Sequence, residues 1–216
     1  MLRKPCLLVV VLWSMILVPQ ALAAKGDWML SIAGGISAPA GDFGKDVAQG
    51  GLGAKMGFNI GPSVDYMVTE NLALGVDGSF TRNNLNSDER DQIRAAIGDP
   101  SFEAKYTQVG AGAHLKYWFP MTDSPIGVYA VAGLGAISFK AEATSTDPQF
   151  SGDDSKTQMT AHGGLGAGYK ASEQVTIGLE GDFSYVNLDE STFLISSATG
   201  FGVKAALTFG IPHAAK

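Results

Sequence analysis

The sequence has few of the residues on which several protein classes depend. It contains one cysteine, Cys6, and 3 histidines among 216 residues, so a disulfide framework and a cysteine-based metal site are excluded. Acidic residues outnumber basic ones by 21 to 15, and no basic face for nucleic acid is expected. Only the N-terminus has a long apolar run. If the rest of the chain enters a membrane, it must therefore do so as a closed β-barrel, because no second segment could span one as a helix.

The N-terminus has the pattern of a cleaved secretory signal. Arg3 and Lys4 precede an apolar run over residues 6–18, and Ala21, Leu22 and Ala23 fit the small-x-small cleavage rule. We predict a signal peptide over residues 1–23 and a mature chain over residues 24–216. The rival interpretation is an uncleaved anchor helix, but the run is shorter than the roughly 20 residues that a spanning helix needs. Since Cys6 stands at the start of the run and not after it, no lipid anchor is expected.

One segment of the sequence occurs twice in similar form. Residues 66–80 and residues 169–183 each have a tyrosine, then a short polar turn, then apolar residues that alternate with small or polar ones. This pattern predicts a tight hairpin whose strands have one apolar and one polar face.

Two-residue periodicity extends over eight segments of the remaining chain. The segments cover residues 28–37, 55–68, 72–82, 103–119, 126–140, 158–170, 175–186 and 199–211. Short connections (69–71, 120–125 and 171–174) alternate with long ones (38–54, 83–100, 141–157 and 187–198). The predicted fold is all-β, an eight-stranded antiparallel up-and-down transmembrane barrel. Within one long connection, residues 87–97 are expected to form a short helix capped by Ser87 or Asp88.

Apolar residues share one face of most segments and are expected to face lipid. Aromatic residues cluster at both ends of the segments, as in the girdles of membrane barrels. The expected girdle residues are Trp28, Tyr66, Tyr117, Phe119 and Tyr169 at one edge and Phe80, Phe139, Phe183 and Tyr185 at the other. Residues 128–132 are apolar on both faces, so the periodicity leaves the orientation of the fifth segment open.

The opposite face carries charges of both signs and is expected to point into the barrel. We predict a lumen charge network made of Lys55, Asp65, Asp77, Lys116, Lys170, Glu180, Asp182 and Lys204. An eight-stranded barrel has room inside only for side chains, and unpaired buried charges are costly. A salt-bridged plug is therefore the favoured interpretation, and a gated ion path is the alternative.

No motif predicts catalysis, a metal or a cofactor. His114 and His162 fall on the inward face, where a hydrogen-bonded interior histidine is favoured over a metal pair, because no ligand spacing supports one. Neither histidine is followed by a serine two positions later, and no Gly-x-Ser-x-Gly elbow occurs. Ser151, Asp153 and Ser155 could imitate a catalytic trio at the barrel rim, although a solvated loop explains them better.

The long connections are expected to carry any specificity. Acidic residues occur in two of them, namely Asp147, Asp153, Asp154, Asp189 and Glu190. Divalent cations could bridge these carboxylates to anionic lipopolysaccharide, but plain solvation is the simpler interpretation.

With these features the chain resembles the small outer-membrane β-barrel family, the group of the OmpA transmembrane domain and OmpX-like proteins. The resemblance covers residues 28–209 and rests on the two hairpins, on the opening residues 34–43 and on the closing strand 202–209, which ends on Phe209. It implies a bacterial outer-membrane location, contact with lipid and lipopolysaccharide, and insertion by the barrel assembly machinery through the last strand. The sequence departs from the family in one respect, because it continues past Phe209 to residue 216.

The expected function is non-enzymatic. We predict a structural or surface-interaction barrel with a plugged lumen, outer loops that could bind an extracellular ligand, and no appended periplasmic domain. The alternatives are a narrow route for small hydrophobic molecules or ions, a lipid-modifying enzyme, and a soluble lipocalin-like carrier with the two strand faces exchanged. Fold membership does not choose among them.

Overall fold

Eight antiparallel strands close on themselves in the computed structural model, which describes residues 23–121 and 124–213. Each strand pairs with its neighbours in sequence, and β1 also pairs with β8, where Trp28 lies opposite Ile211. The predicted up-and-down barrel is therefore confirmed. The predicted signal peptide, apart from Ala23, lies outside the described residues. The strands are β1 (Trp28–Ala40), β2 (Gly57–Met67), β3 (Leu72–Asn84), β4 (Glu103–Phe119), β5 (Ile126–Thr144), β6 (Gly152–Lys170), β7 (Val175–Asn187) and β8 (Ser197–Ile211).

The repeated sequence forms the same turn twice. The Thr69 hydroxyl accepts hydrogen bonds from the backbone N–H groups of Asn71 and Leu72. In the second copy the Ser172 hydroxyl accepts from Gln174 and Val175. A hydroxyl at the first turn position thus takes up backbone donors that the strands leave unpaired, and both predicted hairpins are confirmed.

The connections distinguish the two ends of the barrel. The turn side carries the short connections 68–71, 120–125 and 171–174, the start of β1 and the end of β8. The loop side carries the connections 41–56, 85–102, 145–151 and 188–196. The loop side contains α1 (Gly41–Gly44), α2 (Ser87–Ile97), α3 (Glu190–Phe193) and two 3-10 turns (Val47–Gln49 and Pro148–Phe150). No helix in the described part of the chain is long and apolar enough to cross a membrane.

Helix α2 has the predicted span but not the predicted cap. The cap is Asn86, whose side chain accepts a hydrogen bond from the backbone N–H of Asp88. The prediction placed the cap at Ser87 or Asp88, because serine and aspartate are as suitable for this position as asparagine. Only the backbone angles show where the helix begins.

The predicted long connection 141–157 is mostly strand. β5 and β6 stay paired beyond the apolar band, as far as Ala143 opposite Gly152. Lys140 lies 3.2 Å from Glu142 and 3.1 Å from Asp153. The β6 part of the extension, residues 152–157, has no apolar residue on either face, and the β5 part has only two alanines, so two-residue periodicity of apolar residues could not find it.

The structure settles the orientation of β5. Tyr129, Val131, Ile137 and Phe139 point inward, and Leu134 is 66% exposed on the outside. The expectation that Phe139 belongs to an outer aromatic girdle is therefore wrong. Other girdle residues do lie outside in pairs, with ring centroids 5.0 Å apart for Trp28 and Tyr66 and 5.4 Å apart for Tyr117 and Phe119.

Replacement of Leu134 by arginine tests this orientation. We expect the substitution to reduce the free energy of unfolding by up to about 2–4 kcal/mol, because it places a charge in the apolar outer band. Leu194→Arg, at an exposed position of the loop side, should change it by less than about 0.5 kcal/mol. Urea unfolding in lipid vesicles measures both, and equal effects would contradict the outward orientation of Leu134.

Candidate functional site: the lumen and the loop side

The lumen holds three layers of side chains. The turn-side layer is an apolar cluster of Met29, Met67, Ala73, Trp118 and Tyr129. The rings of Trp118 and Tyr129 lie 4.5 Å apart. This layer packs large side chains against each other across the turn side of the lumen.

The middle layer is polar and is organised around Asp65, which is fully buried. Lys116 Nζ donates to Asp65 Oδ2 at 2.7 Å, and His114 Nε2 lies 2.5 Å from Asp65 Oδ1. The other ring nitrogen of His114, Nδ1, lies 2.9 Å from Asp77 Oδ1. Asp65, His114 and Lys116, which are buried, therefore each have a partner that can complete a hydrogen bond or an ion pair.

A second group of contacts lies on the opposite wall of the middle layer. Lys204 Nζ lies 3.1 Å from Asp182 Oδ2. The Tyr129 hydroxyl donates to Glu180 Oε2 at 2.9 Å. Six of the eight residues of the predicted charge network thus line the lumen, together with the two histidines.

Lys55 and Lys170 lie outside the middle layer. Lys55 is exposed in the connection before β2, where its backbone carbonyl accepts a hydrogen bond from the Asn83 side chain. Its assignment to the lumen is therefore wrong: β2 begins only at Gly57, so the alternation does not extend to Lys55. Lys170 is the last residue of β6 and therefore lies at the turn-side rim. The alternation along β6 places it on the inward face, but it does not line the cavity of the middle layer.

The histidines were not included in the predicted network, although both fall on the inward face. The strand register places them in one row of paired positions that runs around the wall, from Asp65 to Gly75, His114, Gly133, His162 and Ser184. Glycines alternate with the large polar residues in this row. A Cβ at Gly75 would lie 2.5 Å from His114 Nε2, and one at Gly133 would lie 2.5 Å from His162 Nε2. Inward parity was the available signal, but only the register shows that these residues are neighbours.

The loop-side layer is a second apolar cluster. Phe139, which is fully buried, lies 5.0 Å from Phe193 of α3 and 5.7 Å from Phe43 of α1, measured between ring centroids. Tyr106 packs in the same cluster and donates its hydroxyl to the carbonyl of Leu52. Two loop-side connections therefore turn inward and cover the lumen, and the cavity between the two apolar layers measures about 180 Å³.

Hydrogen bonds join the loop-side connections to each other. Asp99 is buried and accepts from the backbone and hydroxyl of Ser101, from the Ser145 hydroxyl and from the Thr146 backbone. These bonds, led by the one from Ser145, hold the pKa of the Asp99 carboxyl well below its usual range. Lys156 lies 2.5 Å from Asp189, and this contact, with the Ser191 hydrogen bonds, lowers the pKa of Asp189 to about 2.

A further contact joins the first two connections of the loop side. Glu89 of α2 is buried, and its Oε1 accepts a hydrogen bond from the backbone N–H of Val47 at 2.5 Å. The backbone N–H of Asn86 donates to the carbonyl of Gly53 at 2.7 Å. The loop side is thus a connected surface and not a set of separate loops.

Replacement of Asp99 by alanine should loosen the junction between the connections 85–102 and 145–151. We expect several-fold faster proteolysis near these segments at pH 7, while Asp154→Ala, at an exposed position, leaves the rate unchanged. Because the pKa of Asp99 is lowered in the folded state, its stabilising effect is complete above the ordinary carboxyl pKa of about 3.9. It is lost as the pH falls through the lower folded-state value. The difference between the variants should therefore shrink below about pH 4, and a difference independent of pH would contradict this assignment.

The serines and the aspartate at the rim do not form a catalytic trio. The Ser151 hydroxyl donates to the carbonyl of Ser145, and Asp153 pairs with Lys140. The Ser155 hydroxyl lies 3.2 Å from that of Ser138. Each of the three therefore has its own partner, as expected for a solvated hairpin.

Comparison with known proteins identifies the family. Residues 8–209 match the outer membrane protein beta-barrel domain. The chain belongs to this family. It is therefore a bacterial outer-membrane protein. Barrels of this kind have short periplasmic turns and longer extracellular loops. No curated protein matches it in sequence.

Solved structures of outer-membrane barrels share the fold at low sequence identity. Neisserial surface protein A superimposes with a TM-score of 0.57 at 18% identity, over 87% of this chain and 98% of that one. A major outer membrane protein from Thermus thermophilus gives 0.54 at 10% identity, over 85% and 99%. OprG from Pseudomonas aeruginosa gives 0.52 at 13% identity, over 89% and 99%. Likeness at these identities concerns the fold alone.

Proposed function

We propose that this outer-membrane barrel is a non-enzymatic surface-interaction protein whose loop side binds an extracellular ligand and whose lumen does not conduct. The observation that carries the proposal is the inward packing of Phe43 and Phe193 against Phe139. The same packing closes the lumen and fixes the loop-side connections to the barrel. A surface that is ordered before it meets a ligand loses less conformational entropy on binding.

The loop side also exposes apolar side chains that contribute nothing to its own core. Leu194 is 82% exposed and has a φ of 63°, a left-handed conformation that costs a non-glycine residue about 1–2 kcal/mol. Val47 and Phe150 are exposed in two other connections. An exposed leucine kept in an unfavourable conformation supports a role in contact.

Two further partners belong to this proposal. Lipid surrounds the outward apolar band, and lipopolysaccharide would meet the loop side. The barrel assembly machinery would recognise β8, whose Phe201, Val203, Leu207 and Phe209 alternate on the outer face.

The test uses Leu194→Gly in protein refolded into nanodiscs without an affinity tag. Binding is measured on an array of glycans, lipopolysaccharides and extracellular proteins. We expect at least one ligand whose binding falls about ten-fold in this variant. The free energy of unfolding should stay equal or rise by about 1 kcal/mol, because glycine adopts the left-handed conformation without strain. Leu165→Ala, which alters an outward residue on β6 away from the loops, serves as the matched control and should bind normally.

Planar-bilayer recording tests the lumen part of the proposal. The refolded protein should give no steady current. A steady current, or the absence of any ligand whose binding depends on the loop side, would contradict the proposal and favour a narrow transport route.

A further inference from the structure

We propose that the middle layer of the lumen is a binding site for one divalent transition-metal ion of the zinc class, with Asp77, His114 and His162 as its ligands. Imidazole nitrogen and carboxylate oxygen are the donors that zinc, nickel and cobalt accept in proteins. The role is structural: the ion would link β3, β4 and β6 across the lumen. This inference does not depend on a ligand at the loop side.

The three donor atoms are already grouped. One donor atom from each residue lies within 4.8 Å of the other two. His114 Nδ1 is 2.9 Å and His162 Nε2 is 3.7 Å from Asp77 Oδ1. Tetrahedral coordination with bonds of 2.0–2.2 Å requires donor separations of about 3.4 Å. A shift of the His162 ring by about 1 Å, together with a shift of the Asp77 carboxylate by about 0.5 Å away from His114, would therefore complete the set, and a water in the adjoining cavity can supply the fourth ligand.

The surroundings of His114 are those of a metal ligand. Its far nitrogen, Nε2, lies 2.5 Å from Asp65 Oδ1, and Asp65 is held in turn by Lys116 at 2.7 Å. Histidine ligands commonly donate their second N–H to a carboxylate, which fixes the tautomer and the ring orientation. With the proton on Nε2, Nδ1 is left as the donor atom on the side of Asp77.

The charge of the middle layer also fits a divalent cation. The cavity is lined by four carboxylates, on Asp65, Asp77, Glu180 and Asp182, and by two lysines, Lys116 and Lys204. With neutral imidazoles the layer therefore lacks two positive charges, because Lys55 and Lys170 do not line the cavity. Uncompensated charge in a closed interior is costly. One divalent ion would supply the two missing positive charges, which would otherwise require protonation of both histidines.

Glycines make room for these ligands. Gly133 lies between His114 and His162 in the row of paired positions, and a Cβ there would come within 2.5 Å of both Cε1 and Nε2 of His162. Any larger residue would therefore displace the ring from its position beside Asp77. Among the described residues, no hydrogen bond holds the His162 ring in a different position.

The test titrates tag-free refolded protein, freed of metal by a chelator, with Zn²⁺ by calorimetry and with Co²⁺ by visible absorption. We expect one ion per chain, an intense tetrahedral Co²⁺ spectrum and a higher thermal midpoint in the presence of Zn²⁺. His162→Ala and Asp77→Asn should each weaken binding at least 100-fold, and Gly133→Ala about ten-fold. His213→Ala, in the third histidine outside the barrel strands, and Asp153→Asn, in a half-exposed carboxylate outside the lumen, should bind as the unaltered protein does.

Two results would overturn the proposal. The first is a loss of binding in His213→Ala, or unchanged binding in His162→Ala and Asp77→Asn. Either finding would place the ion outside the proposed site. The second is no binding by the unaltered protein. Nitrogen NMR signals that show both ring nitrogens of His114 protonated would then identify the layer as a proton-balanced ion network. Gel mobility before and after heating confirms that each variant forms a closed barrel.

Discussion

Asp65→Ala is expected to lower the free energy of unfolding by about 3–5 kcal/mol, the cost of removing one partner from a buried charge pair. The Asp65 side chain is inaccessible to solvent and holds both Lys116 and His114. Without it, no carboxylate among the described residues contacts the Lys116 ammonium, and none of them offers His114 Nε2 an acceptor. Asp65→Asn retains one acceptor oxygen and should lose less.

The measurement is urea unfolding of chelator-treated protein in lipid vesicles, followed by tryptophan fluorescence. Asp153→Ala is the matched control, because it also removes a carboxylate from a lysine, but at a side chain that is 57% exposed. Exposed pairs contribute about 0–1 kcal/mol. A loss below about 1 kcal/mol for Asp65→Ala would show that the lumen tolerates an unpaired lysine, and the plug interpretation would be wrong.

The second large effect is expected at the loop side. Phe139→Ala should cost about 3–5 kcal/mol, because Phe139 is fully buried and contacts Phe43, Tyr106 and Phe193. Its loss leaves a cavity beneath α1 and α3, so proteolysis of the connections 41–56 and 188–196 should accelerate as well. No steady current is expected, since the side chains of the middle layer and of the turn-side layer still fill the lumen.

Phe150→Ala is the control for this effect. Phe150 is also a phenylalanine of the loop side, but it is exposed in a 3-10 turn and should change stability by no more than about 0.5 kcal/mol. Equal losses in the two variants would mean that the loop-side cluster does not stabilise the barrel. A steady current in Phe139→Ala would mean that the cluster alone closes the lumen.

The parts of the fold that depend on local sequence were predictable. The turns at Thr69 and Ser172 are set by residues within each turn, and α2 is set by a run of helix-forming residues between loop segments. The alternation in β2, β3, β7 and β8 fixed which residues face lipid, because one face of each strand is apolar and the other is not.

Prediction failed where the local pattern was ambiguous or ended. β5 is apolar on both faces, so its sequence could not show that Phe139 points inward while Leu134 points outward. The β6 part of the β5–β6 extension, residues 152–157, has no apolar residue on either face, and alternation gave no signal there. In the sequence, Lys55 continues the polar positions of the β2 alternation, but the strand begins two residues later.

The amino-acid sequence by itself therefore determined the class of this protein: strands with one apolar face and glycine-rich polar faces can satisfy their backbone groups in a membrane only by closing into a barrel. Only the tertiary structure decided what lies inside. Asp65, His114 and His162 belong to three different strands, and their proximity follows from the register of four strand pairs. That register is set by the closure of the whole barrel and leaves no mark on the spacing of these residues in the chain.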